Sequence, residues 1–404
     1  MKKILIDGRF IGVGDSIGRV VFGILDYLLA IDDQHQYSLL ICPAGVSQVK
    51  ERGFWNNPKL TVEVLDIAHY SLLEQTKLLV WLNKKPFDLV YFTQFNHPIM
   101  YRRPYIIIIH DLTTFGYFHL ENPLKVAVFK KVMKSAVHDS KKIITISKTT
   151  KKELLESYKV DGDKIEVIYP GIDDNYLRMA KLDVADRIKL GNKFKKHYQI
   201  EADYLLYTGM WKRHKNLLRL LFAVKQISQQ SAISSQQKNT ASSKLLVANF
   251  QLVLVGKIDK SQPDIIEKIE SINDHNIEKA KSTDAVFVTG FVPEEFLPSA
   301  YAGAMAYVTP SLNEGFGLPP LEAMACGAPV IAGKISATPE VLGDAAVYFD
   351  PYDVNDIAEK ISKVTSDLSL RISMRKKGFE RIKLYSWQEN AKKNLEVINK
   401  VIGK

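Results

Sequence analysis

The chain has 404 residues, 46% of them hydrophobic, enough to bury a large core and to divide into about two domains. Its formal charge of +10, from 55 Lys and Arg against 45 Asp and Glu, favours an anionic partner (a phosphorylated ligand, nucleic acid or an acidic membrane surface) unless it reports only a solvated, lysine-rich surface. Two distant cysteines, Cys42 and Cys326, lie outside any CxxC or Cys/His spacing and indicate neither a disulfide framework nor a zinc site, which fits a reducing cytoplasm. The apolar run in "MKKILIDGRF" is too short for a signal peptide, and no segment approaches the roughly 18 apolar residues of a membrane span, so membrane contact is expected from one side at most.

In chain order, short apolar runs at 3–7 (KILID), 37–43 (YSLLICP), 60–66 (LTVEVLD), 88–92 (DLVYF), 105–111 (YIIIIHD), 143–147 (IITIS) and 165–171 (IEVIYPG) read as buried parallel strands. Helix-period segments separate several of them: over 17–31 the pairs Val20/Val21, Ile24/Leu25 and Leu28/Leu29 recur on one face. A charged, strand-poor stretch near 178–200 follows, and we place a domain boundary between 185 and 186. The alternation then restarts at 204–209 (YLLYTG), with a helix from Asn216, and continues at 250–256 (FQLVLVG), 285–290 (AVFVTG), 304–310 (AMAYVTP), 329–333 (PVIAG) and 346–350 (AVYFD). The pattern predicts an α/β protein of two Rossmann-like, doubly wound lobes facing across a cleft. The Ser/Gln-rich stretch 228–244 reads as a floppy insertion in the second lobe.

Several stretches carry chemistry. "GVGDSIG" sets Gly12, Gly14 and Gly18 between the first strand and first helix, one residue too long for a dinucleotide fingerprint; Gly18 would allow close approach of backbone and ligand, or the segment is an ordinary turn. His110 and Asp111 end a strand where open α/β sheets gather ligands, although a backbone-satisfied core histidine fits the same position. "DGD" (161–163) mimics a metal-binding Asp-x-Asp but reads as a polar turn. "GMWKRHKN" crowds Lys212, Arg213, His214 and Lys215 beside a helix start, where a diphosphate would neutralise them unless the loop is simply exposed and basic. In "SLNEGFGLPPLEAMACG", Glu314 falls in a loop and Glu322 in the first turn of a helix begun by Pro319 and Pro320, with the N–H groups of Phe316, Gly317 and Leu318 between them. Carboxylates repel phosphate but accept hydrogen bonds from sugar hydroxyls, so the loop suits a ligand that is diphosphate in the middle and polyol at both ends, a nucleotide-sugar.

The stretch "TGFVPEEFLPSAYAGAMAYVTPSLNEGFGLPPLEAMACGAPVIA", with its E-x7-E pattern complete at Glu314 and Glu322, resembles the donor-site signature of the family-4 retaining glycosyltransferases of GT-B architecture. "IIIHDL", "ITISKTTKKEL", "VIYPGID", "ATPEVLGDAAVYFDP" and "YSWQENA" match the same family in order along nearly the whole chain. The resemblance implies that Glu322 holds the ribose, that Glu314 lies beside the donor sugar, and that backbone at Gly315, Phe316, Gly317 and Leu318 contacts sugar and diphosphate. It further implies that His110 meets the sugar, that Lys215 binds diphosphate, and that Phe291 and Val292 border the base. The companion arginine found in many members is replaced by Met210, leaving Arg213 or Lys212 to substitute. The final segment, 386–404, is expected to pack back on the N-terminal, acceptor-binding domain (1–185), with 186–385 binding the donor.

The implied reaction is transfer of a hexose with retention, without metal and without any cofactor beyond the nucleotide-sugar co-substrate. Resemblance to bacterial mannosyltransferases points to GDP-mannose, with a UDP-hexose as the alternative. The expected acceptor is a glycan or lipid-linked sugar, with no role for nucleic acid. The segments 71–85 and 123–142 offer apolar and cationic faces to the inner surface of the cell membrane, or else are core-packed helices with solvated lysines. The rival readings are a sugar-phosphate synthase or epimerase of the same architecture, a dinucleotide oxidoreductase, and a non-catalytic sugar-nucleotide binder.

Overall fold

The computed structural model describes residues 1–13, 16–112, 122–237, 250–277 and 284–403. It divides the chain into two compact units, Met1–Gly171 with Tyr385–Lys404, and Ile172–Leu384.

The first unit is built on a seven-stranded parallel sheet comprising β1 (Lys2–Asp7), β2 (His35–Ile41), β3 (Leu60–Val64), β4 (Leu89–Phe92), β5 (Tyr105–Ile109), β6 (Lys142–Thr145) and β7 (Ile165–Val167), in the order β3-β2-β1-β4-β5-β6-β7. The second holds six parallel strands, β8 (Asp203–Thr208), β9 (Phe250–Val255), β10 (Val286–Gly290), β11 (Ala306–Thr309), β12 (Val330–Gly333) and β13 (Ala346–Phe349), ordered β10-β9-β8-β11-β12-β13. Each apolar run of the sequence forms its strand. Several strands stop short of the run's carboxyl end, as at Ile41, where Pro43 opens a 3-10 turn, and at Ile109, which leaves His110 just outside the sheet. In both sheets the order reverses beside the first strand of the unit, between β1 and β4 and between β8 and β11, and ligands of doubly wound folds collect at the carboxyl ends of those strands.

Continuous apolar strands are needed because helices cover both faces. All five residues of β5 are buried. In β8, Leu205 and Tyr207 face a core shared with Leu220, Leu252, Leu254, Val308 and Ile361. On the opposite face the Tyr204 hydroxyl donates to the Ala300 carbonyl at 2.6 Å, beneath the helix Leu297–Gly303. Each such side chain contributes about 1.5–3 kcal/mol by leaving water.

The unit boundary falls at Gly171/Ile172 rather than near 185. Residues 172–185 belong to the second unit because the helix Asp174–Ala180 buries Tyr176 and Met179 there, with Tyr176 set edge-on to Tyr301, ring centroids 6.0 Å apart. The last helix, Trp387–Ile402, packs on the first unit against the helix Ser16–Ile31. Asn390 Nδ2 donates to the Tyr169 carbonyl at 2.8 Å, and Tyr91 hydrogen bonds to Asn394. A Cβ on Gly171 would lie 2.2 Å from the Trp387 amide nitrogen, so only glycine lets the two crossing segments touch. The helix Leu217–Gln237 runs through the first part of the predicted insertion, so 228–237 is helical; residues 238–244 lie outside the described residues.

Candidate functional site

Two loops meet at the carboxyl edge of the second sheet, one leaving β8 and one leaving β11. The Leu312 amide donates to the His214 carbonyl at 2.7 Å, which couples them. Asn216 fixes the first loop. Its backbone is left-handed (φ 56°), and its buried amide donates to the Pro310 carbonyl at 2.9 Å and the Pro351 carbonyl at 2.7 Å. Asparagine tolerates that conformation better than other non-glycine residues.

Within this frame Lys215 Nζ lies 2.8 Å from Glu314 Oε1, and Ser311 Oγ donates to the same oxygen at 2.6 Å. Burial pushes the Glu314 pKa up, but the Lys215 ammonium, aided by Ser311 and His214, outweighs it and holds the carboxyl below the usual range. With side chains 23% and 19% exposed, the pair is reachable from solvent. Lys212 and Arg213 are exposed on the same turn, and Met210, where the sequence resemblance implied an arginine, is also exposed. Four basic or potentially basic side chains thus cluster at a sheet edge with one carboxylate against them.

The second loop runs through buried Gly315 and Phe316 to Gly317, whose φ of +94° caps the helix Leu318–Ala325. The helix then starts at Leu318, and Pro319 and Pro320 fit its first turn, where a missing N–H leaves no intrahelical bond unmade. Glu322 is 2% exposed, and its Oε2 accepts from the Tyr301 hydroxyl at 3.2 Å. Thr208 Oγ1, at the end of β8, is 3.0 Å from that hydroxyl and 3.3 Å from the Tyr307 hydroxyl. Both glutamates act electrostatically on Tyr307, so the two carboxylates border one region. After β10, Val292 is buried and Phe291 stands 69% exposed.

His110 and Gly18 belong to the first unit. His110 is buried and its Nε2 donates to the Thr93 carbonyl at 2.9 Å, which puts a proton on that nitrogen, while Thr150 Oγ1 donates to the His110 carbonyl at 3.2 Å. The histidine therefore sits at the strand end foreseen for a ligand and also has the backbone partner of a core residue. At Gly18 a Cβ would lie 3.1 Å from the Phe10 carbonyl oxygen, so the close approach there is made by the protein's own chain. Gly14 lies outside the described residues. The "DGD" turn is a single 3-10 turn in which Asp161 caps the Asp163 amide at 2.9 Å.

Sequence reasoning missed Ser311, Asn216 as a latch, the Thr208–Tyr301–Tyr307 hydroxyls, and a buried arginine at the end of β1. Arg9, fully buried, donates through Nε and Nη2 to both Asp7 oxygens at 2.9 and 2.8 Å and through Nη2 to Glu74 at 2.8 Å. Burial alone would lower its pKa, but Asp7 and Glu74 drive it above the ordinary guanidinium value.

Two Rossmann-like units, the second carrying a basic turn paired to a glutamate loop at its switch point, define a GT-B fold. The family model described as Glycosyltransferase Family 4 matches residues 17–176, and that described as Glycosyl transferases group 1 matches 192–381. The chain belongs to the family-4 glycosyltransferases. It is 27% identical to O-antigen chain mannosyltransferase B of Escherichia coli over 69% of this chain and 66% of that protein. To O-antigen chain mannosyltransferase RfbU of Salmonella typhimurium it is 28% identical over 64% of this chain and 60% of that protein. The matches thus span 60–66% of these relatives' length, less than two thirds. Among solved structures, Anabaena HepE in complex with UDP and glucose superposes with a TM-score of 0.73 at 17% identity, over 99% of this chain and 100% of that one. Among the described residues no helix is long and apolar enough to cross a membrane.

Proposed function

We propose that this chain transfers a hexose from a nucleoside diphosphate to an acceptor hydroxyl of a growing glycan or glycolipid, with retention at the anomeric carbon and without a metal ion. The observation that carries this reading is the Lys215–Glu314 pair at the β8/β11 switch point, flanked by Lys212 and Arg213 and bordered by Glu322. Negative charge that develops on the departing diphosphate would meet the ammonium of Lys215 and its basic neighbours, already held in place, so little reorganisation is needed at the moment of bond cleavage. Glu322 accepts hydrogen bonds from the ribose and Glu314 orients the sugar. For retention, the acceptor attacks from the face the phosphate leaves and a phosphate oxygen takes its proton, so no protein nucleophile is required.

Mannose is the sugar favoured by the relatives named as mannosyltransferases, and GDP is the carrier expected from the sequence resemblance. A UDP-hexose is the second reading, favoured by the likeness to HepE, which was solved with UDP and glucose. A thermal-shift panel of GDP-mannose, UDP-glucose, UDP-GlcNAc and NADH tests both without requiring the acceptor. A shift with GDP-mannose alone supports the first and one with UDP-glucose the second, whereas a shift with NADH alone sinks the glycosyltransferase reading. Peripheral membrane contact is proposed through the helix Pro123–Asp139, which exposes Leu124 and Val128 among its lysines, and failure to float with anionic liposomes would remove it.

A further inference from the structure

We infer that Tyr301 is a positioning residue for the nucleotide site, holding the Glu322 carboxylate ready to accept hydrogen bonds from ribose hydroxyls through a one-directional chain of buried hydroxyl groups. This rests on the reading of Glu322 given above.

The direction of the chain follows from proton counting. Tyr301 has one hydroxyl proton and donates it to Glu322 Oε2 at 3.2 Å, so at the 3.0 Å contact with Thr208 its oxygen must accept. Thr208 then spends its own proton on Tyr301, and the Tyr307 hydroxyl, 3.3 Å from Thr208 Oγ1 and 3.5 Å from the Thr208 carbonyl oxygen, has its one proton to give to either of these two acceptors. Both Thr208 and Tyr301 thus donate toward the carboxylate, with Tyr307 behind them. The tyrosines are buried, and Tyr301 keeps its proton because burial, reinforced by the Glu322 charge, raises its pKa well above the ordinary phenol value.

Three elements supply this chain: the end of β8, β11, and the helix Leu297–Gly303, which packs beside the helix carrying Glu322. A carboxylate in water samples rotamers freely; one pinned by a buried phenol loses that freedom during folding rather than during binding, so less entropy is lost when the nucleotide arrives. Replacing the phenol by phenylalanine keeps the ring that packs on Tyr176 and Tyr307 and removes only the donor.

The test compares GDP with 2′,3′-dideoxy-GDP by isothermal titration on wild type and Tyr301→Phe, with the UDP pair used if UDP rather than GDP binds. Wild type should bind the ribonucleotide at least about tenfold more tightly than the dideoxy form. Tyr301→Phe should lose about tenfold for the ribonucleotide and less than about twofold for the dideoxy form, with donor KM raised and kcat little changed. Equal losses for the two ligands, or no loss for either, would show Tyr301 to be packing alone and overturn the inference. Equal binding of the two ligands by wild type would instead remove Glu322 from the ribose, and the inference with it, a failure visible before any variant is made. Should Tyr301→Phe not fold, Thr208→Val keeps the ring and removes the hydroxyl behind it. A loss of about threefold confined to the ribonucleotide is then expected, and a loss shared by both ligands overturns the proposal.

Discussion

The two sheets reverse their strand order in the same way, yet the carboxyl edges at the reversal are furnished oppositely. At the end of β1 the charges are sealed: Arg9 is fully buried between Asp7 and Glu74, and the Thr93 hydroxyl donates to the Asp7 carbonyl at 2.5 Å. At the end of β8 the central pair remains about one fifth exposed, with Lys212 and Arg213 exposed beside it. A fully buried ion network offers no accessible charge, although Arg9 Nη1 is left without a partner inside it, whereas an exposed cluster with surplus positive charge still has binding energy to give to an anion. The contrast fits a structural role at the first edge and, under the proposed function, diphosphate recognition at the second.

The largest effect expected from breaking this contrast is on rate. Lys215→Ala should lower kcat at saturating donor by about 10²- to 10⁴-fold, because it removes charge aimed at the leaving group. An unchanged kcat would take the lysine out of the mechanism. At the sealed edge the damage should appear in stability. Arg9→Met strands two buried carboxylates and should cost about 3–5 kcal/mol in urea unfolding of the full chain, while the nucleotide-induced thermal shift persists. A cost under about 1 kcal/mol, or loss of nucleotide binding in folded protein, would erase the distinction between the edges.

That distinction was only half legible in the sequence. Continuous apolar runs such as "YIIIIHD" and "FQLVLVG" announce buried parallel strands whatever surrounds them, because period and composition are local properties. The glutamate loop was legible for a related reason: Glu314, Gly317, Pro319 and Glu322 lie within one turn-and-helix segment whose geometry proline and glycine dictate. The Lys215–Glu314 contact was not, since the partners are 99 residues apart and only the β8/β11 adjacency joins them. Arg9 was invisible because "DGR" in isolation reads as a polar turn, and its burial depends on Glu74 arriving from the short helix Leu72–Gln75. The unit boundary was displaced because the helix Asp174–Ala180 is polar in sequence, and only its contact with Tyr301 decides which core it joins.

Smaller effects sharpen the picture of the open edge. Because Lys215 holds Glu314 below its ordinary range, the carboxylate's stabilising contribution is fully present above the unfolded value of about 4.3 and is lost as pH falls through the lower folded value. Wild type should therefore exceed Glu314→Gln by about 1 kcal/mol above pH 5, with the gap closing in more acidic solution. A gap independent of pH down to about 3 would mean that the ion pair contributes nothing. The smallest expected effect is that of a chelator. If fixed cations at the basic turn offset the diphosphate charge, EDTA should leave the initial rate within about twofold, because a metal ion would duplicate charge already in place. Loss of more than about tenfold, restored by Mg²⁺ or Mn²⁺, would show that Lys212, Arg213 and Lys215 do not suffice, and the open edge would then have to be understood as half of a site completed by a metal.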